Sequence, residues 1–403
     1  MFYLKLRLSL LLTAVVTLVS CSTSPSPVKP PKALLKVENT FSIKKQWQLQ
    51  LGDGAGDNYL RLSPVVHENV FYSVDHLGTV SAIRLNDRSL QWETATGMSI
   101  GSPLTLKGDT LYLGTSEGYL LSIESKTGKL KWKARVGSEV LAAPAVGRGY
   151  VVARCVNGEI YTFSVVDGKK VWTDRQITPK LTLRGTSAPV ISNDLVLSAF
   201  DNGKLVAYNL QTGRIVWQKR IAVASGRTSL ERLVDIDADI VISDDVVYTV
   251  AFQGKLAAVS LASGQVIWSR DIDSYIGLAV DPYRIYIVDS NSQIWALDKS
   301  NGATHWKQDA LLRRSLTKPL LHSSYVVTGD LNGFIHWFRR DNGKLAARVR
   351  LDLSNFTSPD LDEEEDFEFP KSRDILATPI SNGNVLITMD RHGNTEAFEI
   401  SYP

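Results

Sequence analysis

The stretch TGKLKW, residues 127–132, places a Gly four residues before a Trp, and the same spacing returns along the chain. The five occurrences are Gly128 and Trp132, Gly168 and Trp172, Gly213 and Trp217, Gly264 and Trp268, and Gly302 and Trp306. In most units a Pro after a small residue and a second Gly precede each pair at regular distances. The spacing therefore indicates an internal repeat of about 40 residues.

Eight such units can be placed on the chain. Seven run from Pro64 to Ala347, and an eighth begins at Pro379 and then runs out of chain. The segment IKKQWQLQL, residues 43–51, supplies the strand that the eighth unit lacks. Short alternating or apolar segments between the marks are typical of β-strands, four to a unit. We therefore expect an all-β protein, an eight-bladed β-propeller over residues 43–403 with four antiparallel strands per blade, closed by an N-terminal strand that completes the C-terminal blade.

The repeated Trp is best explained by packing between neighbouring blades, although a platform for stacking a ligand is the alternative. The seventh unit departs from the pattern, because Ala347 stands in the Trp position and Trp337 stands in the third strand, where other units carry small residues. Positions 337 and 347 should lie opposite each other across a hairpin. We expect a volume-conserving exchange of large and small partners.

The first twenty residues predict an export signal. Lys5 and Arg7 precede the apolar run LSLLLTAVVTLVS, which is too short to cross a bilayer comfortably. The following LVSC, residues 18–21, resembles the bacterial lipoprotein box, and the resemblance implies that Cys21 is a lipid anchor rather than a chance thiol. Ser22, in place of the Asp that retains such proteins at the inner membrane, implies the outer membrane, facing the periplasm. Residues 21–42, with the Pro-rich STSPSPVKPPK, are expected to form a flexible tether.

Composition gives little sign of nucleic-acid binding. The formal net charge is +3, and removal of residues 1–20 with their two basic residues leaves +1. After Cys21 the chain has one further cysteine, Cys155, so the mature body cannot form an internal disulfide. Cys155 lies in a strand-like segment, and we expect it to be a buried small hydrophobe.

The connections between units differ in length, and all of them should emerge at one end of the propeller. The Trp position is 17 residues before the next Pro position at Trp172, 23 residues before its equivalent at Trp217 and 32 residues at Ala347. Loops on a rigid scaffold are where binding residues concentrate. Two long neighbouring connections carry a mixture typical of protein–protein hot spots: Leu181, Leu183, Arg184, Asp235 and Asp237.

The unit containing LYLGTSEGYLLSIESKTGKLKW resembles the repeat of quinoprotein-type propellers. Together with the lipoprotein signal, the tether, LTLRGTSAPV (181–190) and LVDID (233–237), the whole chain resembles the BamB family of the β-barrel assembly machinery. The resemblance implies a non-enzymatic scaffold that binds the periplasmic domains of the barrel-forming subunit BamA and assists outer-membrane protein insertion, with possible contact to nascent clients. It also implies that the five residues above bind the partner. The alternative is that both Leu side chains fold back and Arg184 pairs internally with the two Asp residues.

An enzyme is the other class considered, either a quinoprotein-type dehydrogenase or a propeller that binds a small ligand. Such a dehydrogenase needs cofactor and calcium ligands near the ring axis and often a vicinal Cys pair, which this sequence does not contain. Four Asp residues before turn glycines could suggest a metal ring, but Asp at such turns commonly caps its own backbone. The four Asp residues are Asp75, Asp289, Asp330 and Asp390. We therefore expect neither cofactor nor metal.

The acidic LDEEEDFEF, residues 361–369, is expected to be a solvated loop, or else an adaptable contact through its Phe residues.

Overall fold

A computed structural model describes residues 29–185, 187–223, 227–228, 231–352 and 373–401. The predicted signal peptide, Cys21 and the acidic segment 361–369 lie outside the described residues. Residues 1–31 and 32–403 form two separate units, and the propeller belongs to the second. Within the described ranges, no helix is long enough and apolar enough to span a membrane.

Eight four-stranded antiparallel sheets form the blades. Within each of blades 1 to 7, four consecutive strands pair in chain order, which confirms the repeat. The strands of blades 1 to 4 are β2 Val65–His67, β3 Val70–Val74, β4 Thr79–Arg84, β5 Leu90–Ala95; β6 Thr105–Lys107, β7 Thr110–Gly114, β8 Tyr119–Glu124, β9 Leu130–Arg135; β10 Ala145–Gly147, β11 Tyr150–Arg154, β12 Glu159–Ser164, β13 Lys170–Arg175; β14 Val190–Ser192, β15 Leu195–Ala199, β16 Lys204–Asn209, β17 Ile215–Arg220.

Blades 5 to 8 continue the pattern, and the last one takes its fourth strand from the N-terminal side. Their strands are β18 Val241–Ser243, β19 Val246–Val250, β20 Leu256–Ser260, β21 Val266–Arg270; β22 Gly277–Val280, β23 Arg284–Val288, β24 Ile294–Asp298, β25 Thr304–Gln308; β26 Leu320–His322, β27 Tyr325–Gly329, β28 Phe334–Arg339, β29 Leu345–Arg350; β30 Ile380–Asn382, β31 Val385–Met389, β32 Asn394–Ser401 and β1 Ser42–Gln50.

The ring is closed as the sequence predicts. Strand β1 pairs with β32 from Ser42, opposite Ser401, to Gln50, opposite Asn394. Trp47 lies opposite Ala397, so the split blade repeats the large-and-small pairing of the others. First strands of neighbouring blades contact one another, for example β10 with β6 and with β14, which places the first strands around the centre.

The repeated Gly and Trp meet across the gap between blades. A Cβ at Gly343, in the last turn of blade 7, would lie 2.6 Å from the ring of Trp306 in blade 6. Six of the repeated Trp side chains also donate their indole N–H to a backbone carbonyl of the next blade, at 2.7 to 3.2 Å. The packing role expected for the Trp is therefore confirmed.

Blade 7 shows the predicted exchange and its physical reason. Trp337 lies opposite Ala347 and is fully buried. In blade 8 the third and fourth strands are distant parts of the chain, so no Gly turn exists there for a Trp at position 347 to cover. Instead Phe41 packs against Trp337, with ring centroids 6.0 Å apart, and against Tyr325 at 4.9 Å.

Residues 32–41 fall within the predicted flexible tether, but they are bound along blade 7 and the connection before it. The Lys32 N–H donates to Leu312 O at 2.9 Å, the Arg348 guanidinium donates to Leu35 O at 2.7 Å, and the Thr40 N–H donates to Ala346 O at 2.9 Å. Backbone hydrogen bonds and the buried Phe41 explain the difference, because both fix a segment whose composition alone suggested an open chain.

Strand direction alternates within every blade. The connections between blades and the turns between second and third strands therefore share one end, called here the long-loop face. The first-to-second and third-to-fourth strand turns share the opposite face. Cys155, just after β11, is fully buried and burial raises the pKa of its thiol to about 12, which confirms its expected role as a core residue.

Candidate functional site

Leu181, Leu183 and Arg184 lie together on the long-loop face in the connection between blades 3 and 4. The two Leu side chains are 42% and 39% exposed, so they do not fold back into the blade. Arg184 adopts a left-handed backbone conformation, with φ of 61°. Residues 181–185, called here the docking loop, therefore present two apolar side chains and a cation to solvent.

Arg184 is oriented by a residue that the sequence did not suggest. Its Nη2 donates to both carboxylate oxygens of Glu139, at 2.7 Å each, while most of the side chain stays exposed. Glu139 belongs to the connection between blades 2 and 3. The alternative interpretation, in which Arg184 pairs with Asp235 and Asp237, is therefore wrong. Arg184 pairs with Glu139 instead, and its charge remains at the surface.

Asp235 and Asp237 occupy a different position from the one expected of contact residues. Both are buried beneath the docking loop, Asp235 fully and Asp237 with 5% of its surface exposed. The N–H of Leu183 donates to Oδ2 of Asp235. A Cβ at Gly185 would lie 2.5 Å from the carboxyl carbon of Asp237, so the loop rests on that side chain. Both carboxylates therefore support the loop from below. The sequence did not indicate their burial, because a long loop has no periodicity that distinguishes inward from outward side chains.

The two carboxylates belong to a larger buried charged cluster. Arg154, at the end of β11, is fully buried and forms an ion pair with Asp201 of blade 4. Burial raises the pKa of Asp235 to about 7, against the opposing hydrogen bond from Leu183. Burial and the neighbouring charges of Asp235 and Asp201 raise the pKa of Asp237 to about 7. Desolvation disfavours a charged carboxylate, so both groups are poised near neutral pH.

Connections from several blades meet at the centre of the long-loop face. Arg61, before blade 1, donates to the carbonyl of Tyr275 at 3.2 Å and lies 6.0 Å from the centroid of its ring. Tyr275 comes from the connection between blades 5 and 6. Lys318, before blade 7, donates to Asp239 at 3.1 Å. These contacts link the connections that precede blades 1, 5, 6 and 7, and the bond of Lys318 to Asp239 braces the connection that carries Asp235 and Asp237.

Two further exposed residues lie on the long-loop face, and the sequence pattern did not indicate them. Ile177 is 87% exposed and Val223 is 67% exposed. Both lie in the long connections around blade 4. In the sequence, each is an apolar residue in a segment without the strand pattern. That observation alone does not distinguish an exposed residue from a buried one.

The four turn Asp residues cap their own backbone, as expected. In each, Oδ1 accepts two backbone N–H groups, for example from Gly78 and Thr79 onto Asp75 at 2.8 Å. The same pattern holds at Asp289, Asp330 and Asp390. Among the described residues, no cluster of three metal-ligating side chains is present.

Comparison with known proteins sets these features in a family. Residues 76–308 match the family model described as outer membrane protein assembly factor BamB. An outer membrane protein assembly factor BamB from Yersinia pestis is 35% identical over 370 residues, which cover 88% of this chain and 94% of that protein. The chain belongs to the BamB family.

Other members of the BamB family and solved propellers agree with the fold. BamB from Escherichia coli is 33% identical over 86% of this chain and 91% of its own length. The crystal structure of BamB from Moraxella catarrhalis superimposes with a TM-score of 0.76 at 20% identity and covers 89% of this chain and 100% of that one. A quinohemoprotein alcohol dehydrogenase from Pseudomonas putida superimposes with a TM-score of 0.70 at 12% identity, over 90% of this chain and 77% of that one. At that identity the likeness shows the propeller fold alone.

Proposed function

We propose that this protein is a non-enzymatic scaffold of outer-membrane protein assembly. Membership of the BamB family supports the assembly role, since the relatives carry that role in their names. The scaffold role agrees with a long-loop face that offers apolar side chains and cations rather than a set of reacting groups. The partner in this proposal is the barrel-forming subunit BamA, bound through its periplasmic domains.

The observation that carries the proposal is the exposed docking loop. Leu181 and Leu183 are half-exposed on a backbone that Asp235 and Asp237 support from below. A loop held in one conformation loses little entropy when it binds, which favours a protein contact. Leu181, Leu183 and Arg184 are the proposed contact residues, and Asp235 and Asp237 act by positioning the loop.

The test is recovery of BamA from detergent-solubilised envelope with the intact, lipidated protein as bait. Arg184→Ala and the double variant Leu181→Ala, Leu183→Ala should each recover less BamA than the native chain. Truncation of well-placed interface residues commonly costs about 1 to 2 kcal/mol or more, which is about tenfold in affinity. Val166→Ala is the matched control, because Val166 is an exposed apolar residue on the opposite face.

Native recovery by both docking-loop variants, with folding confirmed by circular dichroism, would place the interface elsewhere. A native bait that recovers no assembly subunit would remove the scaffold role itself. The quinoprotein alternative is not favoured, because relatives that match most of the chain at 33 to 35% identity are assembly factors, whereas the dehydrogenase likeness is at 12% identity.

The proposal includes a lipid anchor at Cys21 that holds the body on the periplasmic side of the outer membrane. Cys21 follows the apolar segment of the export signal directly. Several acyl chains on one residue suffice for stable membrane binding, since each buried CH₂ contributes about 0.8 kcal/mol. Cys21→Ser should move the protein from the membrane fraction to the soluble periplasmic fraction and abolish incorporation of labelled palmitate. Retention of Cys21→Ser in the membrane fraction without other subunits would overturn the anchor.

A further inference from the structure

Ile177 and Val223 are among the most exposed large aliphatic side chains in the described part of the chain. Ile177 lies four residues before Leu181 in the connection between blades 3 and 4. Val223 lies in the next connection, between blades 4 and 5. Both connections emerge on the long-loop face, which also carries the docking loop.

The turn between the second and third strands of blade 4 holds both segments. Asn202 donates its side-chain amide to Ile177 O at 2.9 Å. Gly203 O accepts the N–H groups of Ile221 and Ala222 at 2.8 and 3.3 Å. The Cα of Gly203 also faces this second segment, since a Cβ there would lie 2.4 Å from Ala222 O. Ile177 and Val223 therefore flank one turn, and their backbones are anchored to it by hydrogen bonds at or next to each residue.

The surroundings of the two side chains are rich in positive charge. In the described residues 174–185 and 219–232 the exposed side chains include seven cations and one carboxylate, that of Glu231. Two further carboxylates lie beside these cations. Asp174 is partly buried and accepts a hydrogen bond from the hydroxyl of Tyr208, and Glu139, from the connection between blades 2 and 3, pairs with Arg184. The seven cations are Arg175, Lys180, Arg184, Lys219, Arg220, Arg227 and Arg232. Such a surface favours an acidic partner.

We propose that Ile177 and Val223, on either side of the Asn202–Gly203 turn, form a second apolar contact of the docking face, which receives apolar side chains presented within an acidic surface of the partner's periplasmic domains. The proposal rests on the proposed function and names the chemistry of its partner. Its place on the same face as the docking loop, with Ile177 in the same connection as Leu181, supports a single occupant across blades 3 to 5. The backbones are already anchored and the aliphatic side chains are exposed to water. Binding would therefore bury apolar surface with little loss of conformational entropy, which favours association.

The test is titration of the full-length protein in detergent with purified periplasmic domains of BamA. The double variant Ile177→Asp, Val223→Asp should bind about tenfold more weakly or worse, because it replaces two apolar contacts by carboxylates facing an acidic surface. Val166→Asp, which places the same charge on the opposite face, should bind like the native chain. Equal thermal midpoints of all variants would show that folding is unchanged.

A second measurement separates charge from apolar contact. The double variant Arg175→Glu, Lys180→Glu should weaken binding and make it less sensitive to salt, whereas Lys129→Glu on the opposite face should leave both unchanged.

The outcomes that contradict the proposal are distinct from failure of the proposed function. Native affinity of the Ile177→Asp, Val223→Asp variant, together with weak binding by the Leu181→Ala, Leu183→Ala variant, would overturn the second contact and leave the scaffold role intact. Equal weakening by Val166→Asp would also overturn it. Absence of binding by the native chain would remove both. Loss of binding only toward an unfolded outer-membrane protein, with native affinity for the BamA domains, would assign the patch to clients instead and overturn the proposal.

Discussion

At the scale of the residue, Gly and Trp of the repeat are the two sides of one contact. Gly343 has φ of 70°, which residues with a Cβ rarely adopt, and it also leaves room for the ring of Trp306. The Trp then fills the gap and donates a hydrogen bond to the neighbouring blade. A sequence pattern with a fixed spacing therefore predicts both the turn and the partner of the turn.

The two requirements at Gly343 can be separated by substitution. Gly343→Ala combines backbone strain with a clash against Trp306, whereas Gly97→Ala, at φ of 68°, has nothing within 4 Å of the new Cβ. We expect Gly97→Ala to lower the free energy of unfolding by about 1 to 2 kcal/mol and Gly343→Ala to lower it further. Urea unfolding measures both. Equal losses would show that the Trp contact adds nothing to the strain.

Trp337 provides a second prediction at this scale. It is fully buried, opposite Ala347 and against the ring of Phe41, so Trp337→Ala removes a large core side chain. The expected loss in free energy of unfolding is about 3 to 5 kcal/mol, similar to that of Trp306→Ala. Denaturant unfolding of the two variants in parallel makes the comparison. A near-neutral effect of Trp337→Ala on the free energy of unfolding would show that the Trp337 side chain does not contribute to the core opposite Ala347.

Single residues also mark the limit of sequence reasoning. The pairing of Trp337 with Ala347 was predictable, because strand register converts spacing into contact. The burial of Asp235 and Asp237 was not, since long connections have no period that distinguishes inward from outward positions. The same reason hid Glu139, Ile177 and Val223.

At the scale of the element, the docking loop depends on buried carboxylates for its position. The pKa of Asp235 and of Asp237 is about 7 in the folded protein, against 3.8 for a free side chain. Between these values the folded state binds more protons than the unfolded state, so these groups make stability fall as pH rises from about 4 to about 7. The loop is therefore held at neutral pH by groups whose charged form costs stability.

Asp235→Asn should reverse that cost while keeping an oxygen that accepts the N–H of Leu183. The variant should gain stability relative to the native chain at pH 8 and gain little at pH 5, where the native carboxyl is already protonated. Urea unfolding at the two pH values gives the difference. Asp57→Asn, at an exposed carboxylate, is the control and should show a smaller change with pH. An equal effect of Asp235→Asn at both pH values would contradict the assigned pKa.

At the scale of the whole molecule, the ring depends on a strand that arrives from the other end of the chain. Strand β1 covers β32 along its length and contributes Ile43, Trp47 and Leu49 to the packing of blade 8 against its neighbours. The sequence predicted this closure because the eighth unit lacked one strand and an unmatched Trp stood near the N-terminus. It did not predict that residues 32–41 bind blade 7, because this segment makes its hydrogen bonds mainly through its own backbone N–H and carbonyl groups, which leave no periodic side-chain pattern.

Two truncations test how far ring closure depends on β1. A periplasmically exported chain that begins at Thr40 keeps β1 and Phe41, and it should lose only the contacts of residues 32–39. A chain that begins at Gly52 lacks β1 and leaves β32 as an open sheet edge beside an uncovered apolar surface, which promotes pairing with other molecules. We expect the first to stay monomeric with a small fall in unfolding midpoint, and the second to unfold at much lower denaturant and to associate as concentration rises. Size-exclusion chromatography and urea unfolding distinguish the two. Equal urea unfolding midpoints and a monomeric state for both chains would show that the ring stays closed without strand β1.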